Sequence, residues 1–212
     1  MQKIIIIAGN GFLPINIINS FKSQKISFFT LIISEAGWDK KIQSYSHKFV
    51  KLGSILTELI KLKKSGFNKV VLAGGIKRPS LSNIKPDFNT LKIIPKFTKV
   101  LFKGGDNLLL KFVIEELEKN GIEVLNIKRI VPQLFLSDGF SSKNKFNKSV
   151  EIDIKKGKEI LDNLSKYDVG QSIIMQQGDV VGIEALEGTD ALINRCYRLF
   201  KDGNRPTLIK LM

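Results

Sequence analysis

Residues 4–7 are four consecutive isoleucines, and the run ends at once in Gly9-Asn10-Gly11. No other feature of the chain restricts its fold as strongly. A short apolar run without polar alternation belongs to a strand buried on both faces, as in the middle of a parallel sheet. The pattern returns in Lys69–Ala73, so that IIIIAGNG is echoed by VVLAGGIK and both strands stop at glycine. Helical periodicity fills the intervals. Leu13–Phe21 predicts a helix with Pro14 in its first turn, where the missing N–H costs nothing. Phe28–Ile33 predicts a second strand and Phe49–Leu52 a short edge strand. Ser54 is placed to cap a helix with Leu56 and Leu59 inward and Gly66 as its stop. Asp106 is placed to cap another, with Leu109, Phe112, Val113 and Leu117 inward and Glu115, Glu116, Glu118 and Lys119 outward. Glu123–Ile127 predicts one more strand. Alternating strands and helices over residues 1–138 give an α/β domain built on a parallel sheet.

Composition changes after that. Residues 139–149 are polar and poor in aliphatics, which marks a linker or long loop. Residues 150–212 form a second, smaller α/β unit: a helix over 150–164, strands Ser172–Gln176 and Val180–Ala185 meeting at Gln177-Gly178, a helix over Thr189–Phe200 and a strand Thr207–Leu211. Nothing approaches the roughly 18 to 20 apolar residues of a membrane span. A single cysteine, Cys196, fits a reducing cytoplasm, and a single histidine, His47, excludes a histidine-rich metal site. The net charge of +14 suggests an anionic partner, but 29 of the 34 basic residues are scattered lysines. Groove readers rely on arginine, so the expected partners do not include nucleic acid.

The candidate chemistry lies where strands end. Open parallel sheets bind ligands at their carboxyl edge, and there Gly9-Asn10-Gly11 and Gly74-Gly75 either close on phosphate oxygens or simply turn the chain. Lys77 and Arg78 follow the second loop, as a phosphate fork or as a solvated basic turn. The first loop lacks the third glycine of the dinucleotide fingerprint, Pro14 standing near its place. Glu35, 24 residues past Gly11, keeps a nicotinamide oxidoreductase as a weaker alternative. In the second unit, Glu184 to Asp190 combines three carboxylates, a glycine, a hydroxyl and a helix start. That set either holds Mg²⁺ and phosphate or only caps a helix. Lys92, Lys96, Lys99 and Lys103 fall on one helical face with Phe88, Leu91, Phe97, Leu101 and Phe102 nearby. This pattern fits a surface helix, one touching anionic lipid, or one flanking acyl chains, with Pro95 as a break.

Taken in order, AGNGFLP, VLAGGIKRPSL, GGDNLLL, DVGQSIIMQ and EALEGTDALI resemble the LpxI-type UDP-2,3-diacylglucosamine pyrophosphatases along essentially the whole chain. The resemblance implies a Rossmann-like N-terminal domain, a C-terminal α/β domain and substrate held between them. It implies Mg²⁺-dependent hydrolysis of UDP-2,3-diacylglucosamine to lipid X and UMP in lipid A synthesis, by a cytoplasmic protein peripheral to the anionic inner membrane. By motif, Gly11, Leu13, Pro14, Gly74, Gly75, Lys77 and Arg78 line the substrate site from the first domain. Asp168, Gly170, Gln171, Glu187, Gly188, Thr189 and Asp190 line it from the second. Members of that family continue past Thr207–Met212 into a segment carrying an aspartate needed for catalysis. The expectation is therefore a C-terminally truncated relative with an incomplete second domain, whose own candidate acids are Asp106, Glu187 and Asp190. A non-catalytic nucleotide or phospholipid binder is the alternative from another class.

Overall fold

The computed structural model describes residues 3–76, 84–103, 106–135, 139, 147–167 and 169–211, without the side chains of Lys103, Asp106 and Asn107. The chain divides after Asp138 into two compact units.

The first unit is a five-stranded sheet, β1 (Lys3–Ala8), β2 (Ser27–Ile33), β3 (His47–Val50), β4 (Lys69–Ala73) and β5 (Glu123–Val124), in the order β3-β2-β1-β4-β5. Every neighbouring pair is parallel. The isoleucine run explains the central place of β1. Ile4 and Ile6 pack with Ile15, Ile18 and Phe21 of α1 (Leu13–Ser23), whereas Ile5 and Ile7 face Leu59 of α2 (Ile55–Lys64) and Leu117 of α5 (Asp106–Lys119). Successive side chains alternate between faces, so a strand covered on both sides must be apolar throughout. The chain runs outward from β1 to β2 and β3, then returns to β4 on the other flank of β1. The strand order therefore reverses at the carboxyl ends of β1 and β4, the position where such sheets bind ligands.

Several local expectations shift. Pro14 sits at the start of α1 as expected, but Ser54 does not cap α2: its hydroxyl donates to the Lys51 carbonyl. The strand expected over Glu123–Ile127 pairs as a ladder for two residues only, and Ile127–Ile130 turns into a short helix, α6. Glu116, expected outward on α5, is buried and bonded to Lys119 at 2.9 Å. Pro95 opens a helix rather than breaking one: α3 (Phe88–Leu91) and α4 (Ile94–Lys103) are separate, so Lys92 leaves the lysine face of α4 and stacks over the Phe88 ring at 4.9 Å.

The second unit is an antiparallel sheet of β6 (Ser172–Gln176), β7 (Asp179–Ile183) and β8 (Thr207–Lys210), ordered β7-β6-β8. Helix α7 (Lys148–Leu164) starts inside the stretch expected to be linker; it covers one face, where Leu161 meets Ile173, Met175 and Ile209. Helix α8 (Thr189–Cys196) covers the other, with Leu192 and Cys196 against Ile174. Gln177 and Gly178, with φ of 53° and 85°, form a two-residue hairpin turn of the kind that suits strand twist. Asp153 of α7, 1% exposed, holds that turn: its carboxylate accepts the Gly178 amide at 2.6 Å and the Gln177 amide at 3.1 Å.

Candidate functional site

At the reversal of strand order the two glycine loops are joined by their backbones. Asn10 donates to the Gly75 carbonyl at 2.8 Å, Gly75 returns a bond to Asn10 at 3.1 Å, and Gly9 donates to Ala73 at 2.8 Å. The approach leaves no room for side chains. A Cβ on Gly9 would collide with the Gly75 carbonyl oxygen, one on Gly74 with that of Asn10, and one on Gly75 would lie 2.6 Å from Asn10 Oδ1. Those three glycines are therefore accounted for by the loop pairing alone. Gly11 differs: its φ is +91° and a Cβ there would meet nothing within 4 Å. The Gly11 and Phe12 amides have no backbone partner among the described residues, and α1 follows with no side-chain cap. Gly11 and the first turn of α1, with exposed Leu13 and buried Pro14, thus present amides and a positive dipole end suited to an anion.

Behind Gly74 and Gly75 opens a cavity of about 470 Å³. Ile7, Leu72 and Ile76 form its sheet side, Ile93, Ile94 and Phe97 line it from α4 and the turn before it, and Leu109, Leu110 and Val113 line it from α5. Of the described residues around it only Thr90 and Glu116 have polar side chains, and the Glu116 carboxylate is already paired with Lys119. The glycine-loop edge thus adjoins an apolar chamber. Sequence reasoning brought Phe97 near acyl chains but had no means of assigning Ile93, Leu109 or Leu110, which are brought together only by tertiary packing.

In the second unit the segment from Glu184 to Asp190 links β7 to α8, and its three carboxylates are placed very differently. Both Glu187 oxygens are engaged, Oε1 by Arg195 at 2.8 Å and Oε2 by the Ala185 amide at 3.1 Å. The Arg195 guanidinium holds the Glu187 carboxyl below its ordinary value. Asp190 is exposed in the first turn of α8. Glu184, 6% exposed, accepts the Thr189 hydroxyl on Oε1 at 3.1 Å, while its Oε2 is buried with no partner among the described residues. The Thr189 hydroxyl also lies 3.1 Å from that of Ser172 and accepts from the Lys210 ammonium at 2.8 Å. Gly170 packs so closely on the Glu184 backbone that a Cβ would collide with it. Exposed Gln171 takes the Leu211 amide on its carbonyl at 2.9 Å. Gly188, at φ 83°, offers α8 no side-chain cap.

Of the expected site residues, Gly11, Leu13, Pro14, Gly74 and Gly75 gather at one edge of the first unit. Gly170, Glu187, Gly188, Thr189 and Asp190 gather around the start of α8. Lys77, Arg78 and Asp168 lie outside the described residues, as does the Asp106 side chain. Glu184 was legible in the sequence only as one of the three carboxylates of the acidic segment, and Lys210 was not singled out at all. Nothing in the sequence separates a buried carboxylate from an exposed one, and Lys210 is 21 residues from the hydroxyl it touches. Glu35, on which a nicotinamide reading rested, accepts the Leu52 amide at 3.2 Å. Among the described residues no helix is long and apolar enough to cross a membrane.

Comparison with known proteins fits this division. Residues 3–134 match the family model of the LpxI N-terminal domain and residues 137–212 that of the LpxI C-terminal domain. The chain is 29% identical over 195 residues to the UDP-2,3-diacylglucosamine pyrophosphatase LpxI of Caulobacter vibrioides, covering 92% of this chain and 69% of that protein. With the N-terminal match alone spanning more than half of its residues and the C-terminal match continuing it, the chain belongs to the LpxI family.

Proposed function

We propose that the chain hydrolyses the diphosphate of UDP-2,3-diacylglucosamine, releasing UMP and 2,3-diacylglucosamine 1-phosphate in lipid A synthesis. The observation that carries this reading is the apolar cavity directly behind Gly74 and Gly75. A ligand matching both features is anionic at one end and hydrocarbon at the other, and the relative from Caulobacter vibrioides is named for such a substrate. In the first unit, the Gly11 and Phe12 amides and the α1 dipole take phosphate oxygens while the cavity takes an acyl chain. Fixing the two ends leaves the phosphoanhydride in a set position for attack by water. Lys96 and Lys99 of α4, with the exposed Phe102 ring, suit a protein that collects its substrate at an anionic membrane surface without spanning it. UMP release from the substrate in anionic vesicles tests the reading. Release that requires Mg²⁺, with vesicle binding that fades in high salt, is expected; substrate binding without UMP release would leave a non-catalytic binder.

Mg²⁺ fits the residues present only if the substrate completes its shell. Among the described residues no three His, Cys, Asp or Glu side chains come together. Mg²⁺ commonly takes one or two carboxylates and fills its remaining positions with phosphate oxygens and water. Glu184 Oε2, buried and without a partner among the described residues, and the exposed Asp190 are the carboxylates that would hold it; Glu187 is already tied by Arg195 and the Ala185 amide, one on each oxygen. When bound, the ion supplies charge neutralisation to the diphosphate. Mn²⁺ binding with UDP present, read by electron paramagnetic resonance, is expected to weaken about tenfold or more in Glu184→Gln and to persist in Glu187→Gln. The reverse order would remove Glu184 from this role.

A further inference from the structure

The hydroxyl of Thr189 is surrounded by three partners, and each can be assigned a direction. A hydroxyl has one proton and two lone pairs. Its proton goes to Glu184 Oε1, and the Lys210 ammonium, which can only donate, occupies one lone pair. The remaining contact, with Ser172, must then be a bond donated by Ser172, which is fully buried at the start of β6. Thr189 consequently has no proton left for a phosphate oxygen.

The cation beside it does. Lys210 spends one of its three protons on Thr189 and is otherwise exposed at the end of β8. It borders the start of α8, whose first-turn amides have no side-chain cap and whose Gly188 faces open space. An independent feature points to a ligand at the cluster. Glu184 Oε2 is buried with no donor among the described residues, a cost that a cation or donor arriving with a ligand would remove.

We propose that Lys210 is the side chain through which the second unit holds a phosphate oxygen of its ligand, and that Thr189 and Glu184 are positioning residues for its ammonium. The hydroxyl fixes a long, flexible side chain at one point, so that less rotamer entropy is lost when the phosphate binds. The assignment relies on the diphosphate reading only for the presence of a phosphate.

Calorimetric titration of the full chain with UDP and with uridine, which lacks phosphate, tests it. Lys210→Met is expected to weaken UDP binding about 10- to 100-fold, the scale of a charge-assisted bond, and to leave uridine unchanged. Thr189→Val should reproduce part of that loss and Thr189→Ser should restore it, a rescue that a purely steric role would not give. Thermal melting of each variant checks that the fold persists. UMP and glucosamine 1-phosphate, titrated separately, identify which phosphate is held; loss for either supports the assignment. Equal weakening of UDP and uridine, or undiminished UDP binding by Lys210→Met, would overturn it. Failure of the unsubstituted chain to bind UDP would overturn the diphosphate reading first and this assignment with it, and no variant is needed to see that.

Discussion

Asp153→Ala is expected to destabilise the second unit by about 2–4 kcal/mol, because two charge-assisted hydrogen bonds that hold the hairpin turn are lost. The Asp153 carboxylate is 1% exposed and accepts from both Gln177 and Gly178. Among the described residues no other side chain bonds to those two amides, and Gln177 occupies a left-handed conformation that a side-chain-bearing residue adopts at some cost. The loss should be local. Amide hydrogen exchange of β6 and β7 should accelerate while β1 and β4, in the other unit, keep their protection. Asp153→Asn, which preserves an acceptor but not the charge, should fall between the two. Undiminished exchange protection in Asp153→Ala would show that strand pairing alone holds the hairpin.

The second large effect is functional. Leu109→Trp should fill the cavity behind Gly74 and Gly75 and lower kcat/KM for the long-chain substrate by about 100-fold. Each methylene removed from water contributes about 0.8 kcal/mol. Denying room to four of them costs about 3 kcal/mol, or roughly two decades. A diacetyl analogue, which needs no chamber, should be turned over almost as before, so the preference for long chains should collapse. Thermal stability separates this from simple damage: overpacking a filled core costs about 1–3 kcal/mol, whereas a side chain entering an empty chamber costs little. Equal losses on both substrates would place the acyl chain elsewhere.

How much of this was legible in the sequence depended on distance along the chain. The isoleucine run of β1, the helix opened by Pro14 and the hairpin at Gln177-Gly178 follow from periodicity and turn chemistry within a few residues, and the structure has each of them. The glycine loops were identifiable as special positions, but not the reason: Gly9 is glycine because of Gly75, and the two are 66 residues apart. β5 was overestimated because Leu125 and Ile127 continue an apolar run, while the Asn126 side chain caps a helix by accepting the Lys128 amide. The lysine face of residues 92–103 was too long because Pro95 was treated as a break in one helix, although it fits the first turn of a new one. Glu116 was placed outward because charge usually marks the solvent side of a helix; Lys119, one turn on, makes its burial tolerable. Glu184 could not be set apart from the two acids beside it, since only burial distinguishes it, and Lys210 is marked only by a contact between β8 and the start of α8.

The paired bonds between Asn10 and Gly75 also restrict how such a chain can diverge. Inserting one residue into either loop moves these two positions out of register, and giving Gly9 or Gly74 a side chain drives the strand ends apart. Neither loop can therefore change length independently, and a change tolerated in one must be matched in the other. Variation is instead free to accumulate at Phe12, whose ring is 79% exposed beside the same loops and supports neither of them. Homologous chains should thus keep the spacing of both glycine loops as a single inherited unit while the residue after Gly11 drifts.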